Sequence, residues 1–582
     1  MKNRSKYLLP YIIFVVSAIA LMLRARLSFC WSDESFYFST SDRFLKGDLI
    51  FVHEWFPTQL VSFILLPFHY LFKLVVGSND GVILYFRYLY IIFSLAAAII
   101  VFNILKKKRG DFIALAAALF YQFYAHLNIA TMSYYTLSAS FFLLSMLFIY
   151  DYLTSVKKKS ELVVAGICFA LSVLSLPSLV AGYVLIVVIM LAAMIFVKNV
   201  RRDFGDILGF TLAGIAMPAA IVLIFTQCTT TMKGIIDNLG YVLSDEEHTT
   251  SLVYPFKNFF IAIYNVFDKR IVLAAVFLAL IGLIYSFRKY APFKDKIETA
   301  APAAMVKTVY LLVDFGFFIF FVTRAAGHTG FIGTALLLFA LPLWCITEND
   351  KKDVTLFLLL FAGGLLFSMV YSYSSQCDLY VLSIGHNVAA IGAICIIKDF
   401  ITDSENRGIV RNVALTVILA ALVQTMVLRF VNIYRDAPVK ELNTLITEGP
   451  AKGLYTTSEH FETYKELLNM LKDCESKDKN VFITKLLPWG YLATDMKCAA
   501  HTTWRTTLDS ERLMQYYEVL PEKWPQVIVV LKDEVGSYET CGDVEADPVP
   551  NENSFEGGLA AVIGSADYEK TEYKYGTVYV AK

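Results

Sequence analysis

Apolar runs long enough to cross a bilayer recur from the N-terminus to about residue 430, and nothing else in the sequence constrains the fold as strongly. An α-helix rises about 1.5 Å per residue, so about 20 apolar residues span the hydrocarbon core. Backbone polar groups in that core must be satisfied within the segment, which makes runs of this kind helices. They fall at about 7–23, 84–105, 111–127, 133–153, 161–177, 179–198, 206–226, 271–287, 305–323, 329–346, 354–371, 383–398 and 412–430, about thirteen in all. The expected fold class is therefore a polytopic α-helical membrane protein. Composition agrees, because 57% of the 582 residues are hydrophobic and 18% charged, a pairing soluble chains rarely reach. The formal net charge is zero, and nothing global suggests nucleic acid as a partner. The first run follows Lys2, Arg4 and Lys6, is long for a signal peptide and lacks a small-x-small cleavage site, so it reads as an uncleaved first helix.

Positive charge sets the orientation. Basic clusters at Lys2–Lys6, Lys106–Arg109, Lys157–Lys159, Lys198–Arg202, Arg288–Lys296, Lys351–Lys352 and Lys398–Arg411 all fall on one side when thirteen spans are drawn. That side is expected to be cytoplasmic, with the N-terminus. Segments 24–83, 227–270, 372–382 and 431–582 then face outside. Residues 59–77 are apolar enough to cross, but a span there would invert every later cluster, and the stretch carries Pro67, His69 and Lys73. It reads instead as a helix lying at the outer surface with its apolar face down, as does 254–267.

Two domains follow: 1–430, embedded, with outer loops 24–83 and 227–270, and 431–582, soluble and extracytoplasmic. From Tyr434 charges become frequent. Residues 459–472 have helical periodicity, whereas 481–487, 526–532 and 574–582 read as strands, which predicts a small α/β domain. It lacks a Gly-rich phosphate loop, so structural, acceptor-binding or partner-binding roles are expected of it. The nine cysteines show no ligand-like spacing. Cys168, Cys345 and Cys395 lie in apolar runs, and two of Cys474, Cys498 and Cys541 could pair if the tail is extracytoplasmic.

The sharpest local signal is CWSDESFYFSTSDRFLKGD, residues 30–48, which puts Asp33 and Glu34 just beyond the first membrane helix. Paired carboxylates at an interface can serve as general base and as a hydrogen-bond or metal anchor. Asp33 is the candidate base and Glu34 its orienting partner or a hydroxyl contact. The competing reading is a solvated loop with Ser32 capping an acidic first turn. Next come His53, Glu54, Trp55 and Gln59, a polar and aromatic set suited either to a sugar ring or, through Trp55, to anchoring at the interface. Arg87, at the outer end of the second span, must find an anion or snorkel, and a lipid-linked phosphate would suit it. His126 and Asn128 close the third helix on the same side, and Tyr134 and Tyr135 open the fourth. Arg324 and His328 flank a short external turn, with Arg324 the second phosphate candidate. Asp245, Glu246, Glu247 and His248 could ligate a divalent ion or form a solvated loop tip. The metal, if any, is unknown.

Trp31, Asp33, Glu34 and Tyr37 just after helix one, then surface helices, then Arg87 opening helix two, resemble the GT-C membrane glycosyltransferases, in particular the protein O-mannosyltransferases and the lipid A aminoarabinose transferases. The resemblance covers roughly residues 1–230 and beyond that rests on topology. It implies a polyprenyl-phosphate sugar donor, a lipid, glycan or protein acceptor, and transfer at the outer face of the cell membrane with inversion at the anomeric carbon. Asp33 would be the base, and Arg87 and Arg324 would stabilise the leaving phosphate. Members include metal-dependent and metal-independent enzymes, so no cofactor is assigned. The chain departs from many relatives in having His53-Glu-Trp-Phe-Pro-Thr-Gln59 where they have His-Pro-Pro-Leu, and no acidic residue in NIATMSYYTLS. Other classes compatible with the topology are a lipid-linked glycan flippase or transporter, which would favour internal repeats and midplane charges, and a non-catalytic scaffold with a partner-binding tail, which would leave the Asp33–Glu34 pair without a role.

Overall fold

The computed structural model describes residues 2–125, 128–244, 253–266, 269–287, 303–324, 329–375, 379–403, 407–476, 479–484, 486–504, 506, 508, 510–532, 559, 563 and 567–582. Helix α1 (Lys2–Arg24) is followed by two helices outside the predicted spans, α2 (Phe36–Leu45) and α3 (Gln59–Val76). Then come α4 (Val82–Arg109), α5 (Asp111–Phe123), α6 (Tyr134–Thr154), α7 (Lys159–Ser175), α8 (Leu179–Phe196) and α9 (Arg201–Thr229). The outer loop contributes α10 (Met232–Leu243) and α11 (Tyr254–Val266). The bundle closes with α12 (Lys269–Ser286), α13 (Ala303–Arg324), α14 (Thr329–Ile346), α15 (Val354–Ser375), α16 (Leu379–Asp403) and α17 (Arg407–Val431). Each predicted run is thus a helix. Among the described residues eight helices are long and apolar enough to cross a membrane, and four shorter apolar ones accompany them. The run predicted to reach residue 127 stops at Phe123, where Tyr124 turns extended (φ −71°, ψ 132°).

The bundle is a multi-pass membrane domain by its surface as well as its lengths. On α8, Val184, Leu185, Val188, Ile189 and Ile195 all point outward and exposed. Leaving such area in water would cost about 25 cal/mol per Å²; in hydrocarbon it costs nothing. Inside, α7 and α9 cross so closely that a Cβ on Gly166 would lie 2.1 Å from the Thr211 carbonyl oxygen, and one on Gly214 2.1 Å from that of Val163. Small residues at such a crossing let two backbones approach where no hydrophobic drive acts between helices.

Ion pairs gather at one end of the bundle. Lys107 reaches Asp151 at 2.5 Å, Lys307 reaches Asp403 at 2.6 Å, Lys157 reaches Asp203 at 2.5 Å, and Arg109 holds both Asp353 and Asp399. These pairs join the end of α4, the end of α6, the start of α9, the start of α13, the start of α15 and the end of α16. Members of the basic clusters at Lys106–Arg109 and Lys157–Lys159 thus meet acidic partners at this end. Just before the start of α3 the Trp55 N–H donates to the His501 carbonyl at 2.8 Å; just after its end Asn79 donates to the Leu492 carbonyl at 3.0 Å and the Gly81 N–H to that of Gly449. Both ends meet the same C-terminal domain, so α3 packs along that domain despite a composition that would suit a span.

Beyond α17 the chain forms a two-stranded ribbon, β1 (Thr444–Leu445) with β2 (Tyr455–Thr456), and a five-stranded mixed sheet. The sheet contains β3 (Asn480–Ile483), β4 (Lys497–Cys498), β5 (Val527–Leu531), β6 (Tyr568–Tyr573) and β7 (Gly576–Ala581), in the order β4-β3-β5-β7-β6. β3 runs parallel to β4 and β5; β7 is antiparallel to β5 and β6. Every residue of β5 is buried, as a central strand covered on both faces should be. Helix α18 (Ser458–Asp473) packs Tyr464, Leu467, Leu468 and Leu471 into the core, its first turn capped by Thr457 onto the His460 N–H. Cys474 and Cys498 are both free thiols.

Candidate active site

The segment between α1 and α2 is pinned to the C-terminal domain before it reaches its carboxylates. The Ser28 N–H donates to the Tyr455 carbonyl at 2.9 Å and the Tyr455 N–H to that of Arg26 at 2.7 Å. The Phe29 N–H donates to Asp436 at 2.7 Å. Phe29 and Trp31 then pack against Tyr464 and Trp489, ring centroids 5.3–6.0 Å apart. A turn follows, in which the N–H groups of Ser35 and Phe36 both reach the Ser32 carbonyl. Helix α2 opens at Phe36 without a side-chain cap. Asp33 and Glu34 therefore precede the helix, and the alternative of an acidic first turn capped by Ser32 does not occur.

The two carboxylates point to different partners, as neighbours in sequence tend to. Glu34 receives Arg87 in a fork, Nε on Oε1 at 2.6 Å and Nη2 on Oε2 at 2.5 Å. The remaining terminal nitrogen, Nη1, donates to the carbonyls of Ala25 at 2.6 Å and Ser28 at 3.1 Å. Arg87 is thus engaged as a clamp on the α1–α2 segment. Asp33 is reached from the far end of the sequence: Tyr434 donates its hydroxyl to Oδ2 at 2.5 Å, and Arg435 Nη1 lies 2.5 Å from the same oxygen. Burial raises the proton affinity of Asp33, while Arg435 and the Tyr434 hydrogen bond pull it back. The Tyr434 phenol is pushed up by burial and by the Asp33 charge.

Next to Tyr434 lies a small cleft lined by Arg24, Cys30, Glu34, Arg87, Asn128, Arg429 and Tyr434, with backbone around them. Arg24 ends α1, and donates to the carbonyls of Phe430 at 3.2 Å and Asn432 at 2.6 Å. Arg429, in the last turn of α17, donates to the Asn128 carbonyl at 3.0 Å and to its side-chain oxygen. Asn128 holds a left-handed backbone (φ 66°) and returns its amide to the Asn432 carbonyl. These bonds satisfy carbonyls left open at helix ends. They do not neutralise charge. Three buried guanidiniums face one carboxylate, and among the described residues neither Arg24 nor Arg429 has an acidic partner within 4 Å. Buried charge without a counter-charge is costly, and a cleft so built favours an anion.

The set His53, Glu54, Trp55 and Gln59 is elsewhere, and the expected sugar-stacking role is not met. Trp55 is fully buried, stacked on Tyr241 (centroids 4.5 Å, 9°) and edge-on to Tyr516, so no ring face is left for a ligand. Gln59 accepts from the Phe51 N–H at 2.7 Å and donates to the Glu54 carbonyl at 2.9 Å. His53 Nδ1 accepts from the Leu49 N–H at 2.9 Å. Together they form the joint between the outer loop and the C-terminal domain. Its centre is Arg43, which holds Asp48 at 2.5 Å, Glu54 at 3.1 Å and the Tyr516 hydroxyl at 2.8 Å. Lys523 adds a second cation on Asp48 alone. The environment pushes the two acids apart: Arg43 and Lys523 hold Asp48 well below the usual carboxylate range, while burial raises Glu54 to about 7.

Of the other predicted residues, Asn128 lines the cleft. His126, His328 and the cluster Asp245, Glu246, Glu247 and His248 lie outside the described residues, and Arg324 is placed by its backbone, at the end of α13. Tyr134 and Tyr135 pack edge-on to the Tyr37 ring, centroids 5.5 and 6.4 Å away. Among the described residues no three His, Cys, Asp or Glu side chains converge as metal ligands. Sequence reasoning missed Arg24, Arg429, Tyr434 and Arg435. The signal was present for the first two, since each is an arginine in the last turn of an apolar helix, as Arg87 is one near the start of another.

No protein-family pattern matches the chain, and no curated protein does. Solved structures do show likeness. The Archaeoglobus fulgidus oligosaccharyltransferase AglB, in complex with an inhibitory peptide and a dolichol-phosphate, is 12% identical, with a TM-score of 0.45 over 99% of this chain and 74% of that one. The A. fulgidus oligosaccharyltransferase in complex with Zn and sulfate is 13% identical, with a TM-score of 0.48 over 98% of this chain and 73% of that one. The same enzyme tethered to an acceptor peptide containing the NVT sequon is 12% identical, with a TM-score of 0.47 over 99% of this chain and 74% of that one.

Proposed function

We propose that the protein is an inverting glycosyltransferase that moves a sugar from a polyprenyl-phosphate donor to an acceptor hydroxyl, on the membrane face that carries the C-terminal domain. The observation that supports this most directly is the cleft of Arg24, Arg87 and Arg429 beside the buried carboxylate of Asp33, at the ends of membrane helices. A lipid-linked phosphate has its chain in the bilayer and its charge at this depth, and three guanidiniums with one carboxylate suit it.

The chemistry is a single displacement. Asp33 takes the proton of the acceptor hydroxyl, whose oxygen bonds to the anomeric carbon. The carbon–oxygen bond to the phosphate breaks, and the polyprenyl phosphate leaves with the electron pair. Burial raises the proton affinity of Asp33, which suits it to accept a proton. Arg24 and Arg429 stabilise the charge that grows on the departing phosphate. Glu34 and Arg87 hold the segment that positions Asp33. The face is extracytoplasmic by the distribution of basic clusters.

The test is transfer of radiolabelled sugar from a panel of polyprenyl-phosphate donors in proteoliposomes, with peptide, glycan and lipid acceptors compared. Arg429→Gln is expected to raise the donor KM about tenfold or more, the loss of one charge-assisted contact being about 1.5–3 kcal/mol. An unchanged KM in a folded variant would remove the phosphate from this cleft.

A further inference from the structure

Building on the transferase reading above, we propose that Tyr37, Tyr134, Tyr135 and Tyr371 form the subsite that holds the donor's sugar, and that the sugar they accept is an uncharged pyranose. The arginine cleft then takes the phosphate, Asp33 stands between the two, and the tyrosines decide which glycosyl group is transferred.

Three separate helices bring these rings together. Tyr37 lies in the first turn of α2, four positions after Asp33, and Tyr134 and Tyr135 open α6. Tyr371 comes from the outer part of α15. Tyr37 meets Tyr134 and Tyr135 with ring centroids 5.5 and 6.4 Å away. Tyr134 lies 4.0 Å from Tyr135 and 5.9 Å from Tyr371, and Tyr135 lies 6.4 Å from Tyr371. Tyr37 and Tyr371 are 2% and 1% exposed, whereas Tyr134 and Tyr135 are half-buried. Two of the rings are therefore sealed and two are partly open.

Packing alone does not require phenols here. Phenylalanine would fill nearly the same volume, and a buried hydroxyl without a partner is costly. Among the described residues the Tyr37 hydroxyl has no hydrogen-bond partner, although its residue is sealed. Its phenol is pushed up by burial and, after that, by Tyr135, Tyr134, Asp33 and Tyr371, so the groups it faces are the other three tyrosines and the candidate base. A tyrosine of an interfacial belt turns its hydroxyl to the headgroups; Tyr37 turns its own inward. A tyrosine offers a flat apolar face to the C–H side of a pyranose and a hydroxyl that both donates and accepts, the combination a sugar ring needs.

The loop leading into α6 joins this group to the phosphate cleft. Asn128, Ile129 and Ala130 line the cleft, and Tyr134 follows Ala130 by four positions, a stretch that reaches about 14 Å at full extension. One glycosyl phosphate, with the side chains that hold it, covers such a span. The loop is fixed at its far end: the Thr136 hydroxyl donates to the Thr131 carbonyl at 2.6 Å, and the Thr136 N–H to the Ser133 hydroxyl at 3.4 Å. On the other flank Tyr434 lines the cleft and donates to Asp33, whose charge Tyr37 in turn feels. Charge then selects the sugar. Asp33 and Glu34, which precede Tyr37 on the same segment, are each matched by a guanidinium, that of Arg435 and that of Arg87. Among the described residues no carboxylate of this segment is left for the ammonium of an amino sugar. Arg24 and Arg429, the guanidiniums without an acidic partner, line the cleft that takes the phosphate. What the tyrosines offer is hydroxyls and ring faces, which suit an uncharged ring.

Binding measured with and without the sugar separates this subsite from the phosphate cleft. The wild type in nanodiscs should bind a polyprenyl phosphate carrying one of glucose, mannose and galactose about tenfold or more tightly than bare polyprenyl phosphate. Tyr37→Phe keeps the ring and its packing. It should weaken the glycosylated lipid by about five- to tenfold and leave the bare lipid unchanged. Arg429→Gln should weaken both lipids alike. Donors carrying glucosamine or glucuronic acid should gain less from their sugar than the best uncharged hexose does. Equal affinity of the wild type for glycosylated and bare lipids, an equal effect of Tyr37→Phe on both, or a larger gain from a charged sugar would overturn the subsite. A sugar-dependent gain that Tyr37→Phe removes, in a protein that transfers no label to any acceptor, would uphold the subsite and remove the transferase reading instead.

Discussion

Replacing Glu34 by Ala should strongly destabilise the protein, because its carboxylate is buried against Arg87. The substitution removes two charge-assisted hydrogen bonds, at 2.6 and 2.5 Å, and leaves Arg87 buried with only carbonyl oxygens for company. Breaking a buried ion pair from one side costs about 3–5 kcal/mol, most of it the charge left behind. Arg87→Ala strands Glu34 in the same way. The double variant Glu34→Ala with Arg87→Ala removes both charges, so it should be less destabilised than the sum of the two single changes, with a coupling of about 1–3 kcal/mol. Unfolding of the detergent-solubilised protein by a graded denaturant measures all four corners of that cycle. Glu34→Ala within about 0.5 kcal/mol of wild type, or strictly additive changes, would refute the view that the pair is a buried clamp holding the Asp33 segment.

Two further outcomes are expected away from the cleft. Gly166→Leu should force α7 and α9 apart, because its Cβ would start 2.1 Å from a carbonyl oxygen, at a cost of about 1–3 kcal/mol or more; Gly209→Leu, with open space around its Cβ, is the control in the same unfolding assay. Glu54 is raised from 4.5 in the unfolded chain to about 7 in the folded one, so its contribution is complete below about pH 4.5 and is lost as pH rises through about 7. Glu54→Gln should flatten that fall in the thermal midpoint between pH 5 and 8, and parallel curves for the two proteins would contradict the assignment.

The membrane architecture was legible because a bilayer imposes one length and one polarity on every crossing. The runs at 84–105 and 206–226 announce themselves in that way, and both are helices. Helix α3 shows where composition misleads: it has the apolarity of a span, and what distinguishes it is His69 and Lys73 turned to Ser41, Asn79 and Asp42 of its own outer loop. The strands of the C-terminal domain were legible as apolar runs bounded by polar residues, but their pairing was not, since β5 finds β3 and β7 from opposite directions in sequence. Asp33, Glu34 and Arg87 could be singled out locally. Tyr434 and Arg435 could not be attached to Asp33, because some four hundred residues separate them and their local surroundings look like any interfacial linker. Trp55 was read two ways because a buried joint and a sugar platform use the same residue types; only the covering Tyr241 and Tyr516 decide between them.

The account turns on Asp33 as the base in sugar transfer. The decisive measurement compares wild type and Asp33→Asn in proteoliposomes at saturating polyprenyl-phosphate donor, following both donor retention and radiolabel transferred to the acceptor. Retained donor with transfer reduced by about 100-fold or more is the predicted result. Transfer at the wild-type rate in a folded Asp33→Asn protein would contradict it.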